Sequence, residues 1–80
     1  MVELDVRELD HPLPMEMAID AFKKLSNSEV IHIIHRRNPT PLFEILTNNG
    51  GFYHTHQSDE HTWHVYITRN AALDLEKLYV

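Results

Sequence analysis

The chain contains no cysteine, which excludes disulfides, a thiolate nucleophile and any cysteine zinc site. Its seven lysines and arginines face twelve aspartates and glutamates, a formal charge of −5. Basic side chains supply most nonspecific affinity for nucleic acid, so nucleic acid is not an expected partner. The two glycines stand together at positions 50 and 51, and no Gly-rich phosphate loop precedes either expected helix. No apolar run is long enough to span a membrane. The start MVELDV lacks a basic stretch followed by an apolar one, so the expected location is the cytoplasm. Ser26, Ser28 and Ser58 fall in expected turns without a nucleophile elbow, and catalytic turnover by the domain alone is not expected.

What remains is one small folded domain. Eighty residues suffice for a single core between two layers of secondary structure. The compositional excess is in histidine, with seven copies, and imidazole is both the near-neutral titrator and the commonest metal ligand.

Apolar and polar residues alternate over VELDV at 2–6, which predicts a strand. From Pro12 to Leu25, Met15, Ala18, Phe22 and Leu25 fall on one helical face, opposite Glu16, Asp20, Lys23 and Lys24. Pro12 suits the first helical position, where a missing N–H costs nothing. Ser26, Asn27 and Ser28 end this helix, and EVIHIIH, apolar on both faces, reads as a covered central strand. Asn38 and Thr40 are candidate caps for a second helix carrying Leu42, Ile45 and Leu46, stopped by Gly50 and Gly51. FYHTHQ and HTWHVYIT flank the polar SDE as a hairpin. The order βαβαββ, with right-handed parallel crossovers, predicts an α/β (α+β) two-layer sandwich: a four-stranded mixed sheet with two helices on one face. The domain occupies residues 1–69. The tail at 70–80, NAALDLEKLYV, opens on the cap-like Asn70 and is expected to be helical, with Leu73, Leu75 and Leu78 covering sheet or pairing with a second molecule.

In LDVRELDHPLP, residues Leu4, Asp5, Arg7, Leu9, Pro12 and Pro14 match the opening Leu-Asp-x-Arg-x-Leu-x-Cys-Pro-x-Pro of sulfur carriers, with His11 at the cysteine position. The chain thus resembles the TusA/SirA-like superfamily. It is more similar still to an uncharacterised branch, a domain of unknown function, that has His-Pro at the first helix. Pro39, Thr40, Pro41 and Leu42, and the closing Trp63, Val65 and Ile67, carry that likeness, which covers residues 3 to 69. The resemblance implies the βαβαββ fold, a third strand parallel to the second, and a protein partner docking at the helix-start edge. It implies no persulfide chemistry, since imidazole cannot carry a persulfide. Branch members beside or fused to hemerythrin-like domains imply a setting of di-iron or nitric oxide metabolism.

Parallel strands one and two deliver both helix starts to one sheet edge, the edge where open α/β sheets bind ligands. His11 follows strand one, and His35, Arg36 and Arg37 follow strand two. A parallel third strand adds His56 and His61, with His54 and His64 one residue pair deeper. Two readings of this edge stand side by side. In one, His11, His35, His54, His56, His61 and His64 supply ligands to a divalent transition metal such as zinc, nickel, copper or iron. In the other, Arg36, Arg37 and the two helix N-termini hold a small anion, a phosphate or carboxylate, with His11, Pro12 and His35 at the site. Against both stand plainer roles: a solvated Arg36–Arg37 turn, a His54–His64 cross-strand pair, and a His11 ring bonded to backbone at a helix start. His32 and His35, three apart on a strand, point to opposite faces.

Overall fold

The computed structural model describes residues 1–73 and residue 75. Its elements are β1 (Val2–Asp5), α1 (Leu13–Lys23), β2 (Val30–His35), α2 (Thr40–Asn48), β3 (Phe52–Asp59) and β4 (Thr62–Thr68). The sheet order is β1-β2-β4-β3. β1 pairs parallel with β2, and β4 pairs antiparallel with both β2 and β3. β3 therefore runs in the sense of β2, as expected. Among the described residues no helix is long and apolar enough to cross a membrane.

Alternation assigns the faces. Ile31 and Ile33 of β2, with Val65 and Ile67 of β4, share one buried cluster with Ala18 and Phe22 of α1 and Leu42, Phe43 and Leu46 of α2. The helices thus cover that face, and the next residues along each strand point away from it. Phe43, absent from the expected stripe, earns its place by stacking on Tyr53 with ring centroids 4.1 Å apart.

The helix starts differ from expectation. α1 begins at Leu13, and Pro12 stands in the N-cap position, its carbonyl accepting from the Glu16 N–H at 3.1 Å. Pro14 takes the tolerated place in the first turn instead. α2 begins at Thr40 with Pro39 in the N-cap position and no side-chain cap, so neither Asn38 nor Thr40 caps it. The Asn38 carbonyl accepts the Thr40 N–H at 2.8 Å, a turn bond that replaces the side-chain cap. α1 also ends at Lys23 rather than Leu25, although Leu25 remains buried at 7% exposure. β3 runs two residues past FYHTHQ because a bulge between Gln57 and Asp59 lets the polar end keep pairing. After β4, Asn70 Oδ1 accepts the Ala72 N–H at 3.0 Å. Leu73 is exposed and Leu75 buried, while Leu78 and the rest of the expected tail helix lie outside the described residues.

Gly51 marks a close approach. A Cβ there would lie 2.9 Å from two ring carbons of Phe22 and 3.0 Å from the Leu46 carbonyl oxygen. The Phe22 ring is buried and has the Arg69 guanidinium 4.0 Å above it, so it has little room to yield. Gly51→Ala is expected to cost about 1–3 kcal/mol, the usual penalty of overpacking. It should appear in urea unfolding as a lower midpoint with an unchanged slope.

Candidate functional site

The loops after β1 and β2 are tied together. The Val6 N–H donates to the Ile34 carbonyl at 2.9 Å, and the Leu9 N–H donates to the Val6 carbonyl at 3.1 Å. Arg7 grips Asp5 through Nε at 2.9 Å and Nη2 at 2.7 Å, and these bonds hold the Asp5 carboxyl down to about 2. Arg36 reaches across to the first loop: its Nη2 donates to the Leu9 carbonyl at 3.2 Å and lies 3.5 Å from Asp10 Oδ1.

Between the two loops lies a cavity of about 470 Å³. His11, His35, Arg36 and Arg37 all line it, over a floor that includes Met15, Ala18, Ile33 and Leu42. Pro12 is not among the lining residues; Pro14, Pro39 and Pro41 are. The cavity joins an apolar body to a cationic rim in a chain of net charge −5.

The hydrogen bonds decide what this rim offers. His35 Nδ1 accepts the Arg37 backbone N–H at 3.0 Å. Burial first, and then Arg36 and Arg37, push the His35 imidazole below its ordinary value. The neutral ring that results carries its proton on Nε2. His35 Nε2 is therefore a donor to an anion rather than a lone pair for a metal. The helix starts contribute less than expected. The Leu13 N–H is bonded to the Asp10 carbonyl, the Thr40 N–H to Asn38 and the Leu42 N–H to Pro39, while Pro14 and Pro41 have no N–H to give. The charged and imidazole donors that line the cavity are the side chains of Arg36, Arg37 and His35, with the Asn38 amide at the wall. Asn38 Oδ1, also at the cavity wall, is buried without a hydrogen-bond partner. Among the described residues the His11 ring makes no hydrogen bond, and the residue is exposed.

The other imidazoles lie across the sheet. His32, His64, His54 and His56 alternate away from the helix-covered face, with register pairs His32↔Tyr66, His54↔Tyr66 and His56↔His64. His54 thus faces Tyr66 rather than His64. His32 stacks on Tyr66 with ring centroids 4.6 Å apart. Its Nε2 lies 2.8 Å from His64 Nδ1, and His64 Nε2 lies 3.1 Å from Ser58 Oγ. His61 sits in the hairpin turn, its N–H bonded to Asp59 Oδ1 at 2.8 Å. The six imidazoles of the metal reading therefore occupy three places: His11 and His35 in the cavity, His54, His56 and His64 on the open face, and His61 in the turn. Among the described residues no group of three His, Asp or Glu side chains could hold a metal ion. His32, outside that set of six, is the imidazole that bonds His64; the alternation of VIHIIH against TWHVYIT carries the signal that places it there.

Burial, then the neighbouring His64, pushes His32 below its ordinary value of 6.5. A folded-state value below the unfolded one stabilises the fold above pH 6.5 and loses that contribution as pH falls through the folded value. Tm is therefore expected to drop between pH 7 and pH 5, above the carboxylate range. His32→Phe should flatten part of that slope in a thermal scan, leaving the His35 share.

The βαβαββ order, with two helices on one face of a four-stranded mixed sheet and an apolar-floored, cationic-rimmed cavity at the carboxyl edge of its parallel strands, defines a small α+β two-layer domain. The chain belongs to the family described as uncharacterized conserved protein (DUF2249), whose profile matches residues 3–69. Among solved structures it is similar to a SirA-like protein from Desulfitobacterium hafniense, with a TM-score of 0.76 and 18% identity over 88% of this chain and 99% of that one. That likeness is one of fold. No curated relative matches the chain. The expected fold class is borne out, as is the expectation of a SirA-like fold in a family of uncharacterized proteins; neither match speaks to the His-Pro at the first helix.

Proposed function

We propose that this domain is a binding module that takes a small anionic ligand, a phosphate or carboxylate on an apolar body, in the cavity at the helix-start edge. The observation that carries this reading is that Arg36, Arg37 and His35, whose Nδ1 is taken by the Arg37 N–H, line one apolar-floored cavity. Guanidinium groups pair with phosphate and carboxylate in two-pronged, charge-assisted bonds, and an apolar floor supplies area for the rest of the ligand. The same edge also suits a protein partner: Leu13 and Met17, one turn apart on α1, are apolar and exposed at 47% and 38%.

A thermal-shift series with inorganic phosphate and with phosphorylated and carboxylated metabolites tests the proposal. A ligand at a hundred times its Kd adds about 2.7 kcal/mol, which in a domain of this size raises Tm by about 10 °C or more. Indifference of the wild-type protein to every anion in the series would remove the reading.

A further inference from the structure

His11 is an exposed cavity residue whose ring has no hydrogen bond among the described residues, while the Arg36 and His35 side chains that line the same cavity are held in place. Arg36 is anchored to the carbonyl and carboxylate of Leu9 and Asp10, the two residues that lead into His11. His35 is fixed by the Arg37 N–H so that its remaining ring nitrogen is a donor. Arg37 lines the same cavity. A free imidazole that shares a cavity with two guanidinium groups and an N–H donor suits a group that arrives as an anion and becomes attached to the ring. Unprotonated imidazole is one of the side chains that forms covalent intermediates, and phosphoryl transfer requires mainly in-line positioning and neutralisation of the three equatorial oxygens.

We infer that His11 accepts a phosphoryl group from an acyl phosphate or a comparable energy-rich phosphoryl donor, with Arg36, Arg37 and His35 Nε2–H holding the phosphoryl oxygens. In the step, the lone pair of one His11 ring nitrogen forms the N–P bond as the P–O bond to the donor breaks. That electron pair leaves on the donor's carboxylate, and the proton of the other ring nitrogen passes to water. Nothing is oxidised or reduced. Onward transfer reverses the step: an acceptor hydroxyl or carboxylate forms a bond to phosphorus, the N–P pair returns to the ring, a ring nitrogen takes back a proton from water, and any acceptor proton goes to solvent. The inference rests on the anion-binding reading of the same cavity and adds a covalent step to it.

The test uses the full chain with acetyl phosphate and, separately, phosphoramidate, followed by intact-mass and peptide mass spectrometry kept at alkaline pH. The expected result is the mass of one phosphoryl group, acid-labile and located on His11 before any other histidine. It should be absent in His11→Ala and His11→Gln, retained in His61→Ala, and formed at least about a hundredfold more slowly in the Arg36→Gln/Arg37→Gln double variant. Circular dichroism of each variant separates loss of the site from loss of the fold. No adduct on the wild type, an adduct spread evenly over the seven histidines, or one that survives His11→Gln overturns the proposal. If any anion of the thermal-shift series raises Tm and no adduct forms, binding stands and transfer falls; if none does and no adduct forms, both fall.

Discussion

A Leu42→Ala variant is expected to lose about 2–5 kcal/mol of folding stability. Leu42 is 1% exposed and joins the cluster formed by Ile31, Ile33, Val65 and Ile67, so α2 is held to the sheet partly through it. A domain this size has about 4–12 kcal/mol in total, and the loss is a large share of that. Leu42 also forms part of the cavity floor, so the space left by its truncation opens into that cavity, where water can fill it. Its cost should therefore fall below that of Leu46→Ala, since Leu46 is 0% exposed and is not a lining residue. Equilibrium urea unfolding of the two variants measures the difference. A Leu42→Ala cost under about 1 kcal/mol would mean that this residue is not fixing α2 to the sheet.

Much of this architecture was legible because hydrophobic period alone separates strand from helix here. VELDV and VIHIIH show strand patterns, and Met15, Ala18 and Phe22 recur at helical spacing. The helix starts were less legible because capping preference competes with proline. Asn38 and Thr40 have the right chemistry for a cap, yet Pro39 occupies the N-cap position and a backbone turn bond takes the Thr40 N–H. That displacement matters to the site: the donors expected from two helix N-termini are largely spent within the loops, and recognition passes to side chains. The extent of β3 was hidden for another reason. Ser58 and Asp59 read as loop by composition, but the bulge between Gln57 and Asp59 absorbs the misfit.

The edge that gathers the candidate residues followed from topology, and the structure places His11, His35, Arg36 and Arg37 around one cavity there. Proximity to an edge does not say which face a ring points to, however. The strand period of two settles that: His35 shares the helix-covered face with Ile31 and Ile33, whereas His64 opposes Ile34 and His56 on the other. Counting residues from Val65 and Ile67 would have separated His64 from His35 without a structure. The pairing of His54 with Tyr66 was out of reach, because register is set by the turn and bulge, which the sequence does not disclose.

The Arg36→Gln/Arg37→Gln double variant is the other large effect expected, and it should be large in binding and small in folding. Hydrogen bonds to a charged group contribute about 1.5–3 kcal/mol each, so losing one from each guanidinium weakens phosphate affinity by about 10²–10⁴-fold. The folding cost is slight, because the pair between Arg36 and Asp10 spans 3.5 Å with side chains 49% and 94% exposed, and exposed pairs contribute about 0–1 kcal/mol. The bond from Arg36 to the Leu9 carbonyl is also exposed, and water replaces it. The ligand-free Tm should therefore stay near that of the wild type while the phosphate-induced rise disappears, and raising the salt concentration should weaken the wild-type response in the same direction. Titration calorimetry of both proteins against phosphate reads the affinity directly. A double variant that binds phosphate as tightly as the wild type would show that the cavity does not recognise its ligand by charge, whatever its shape.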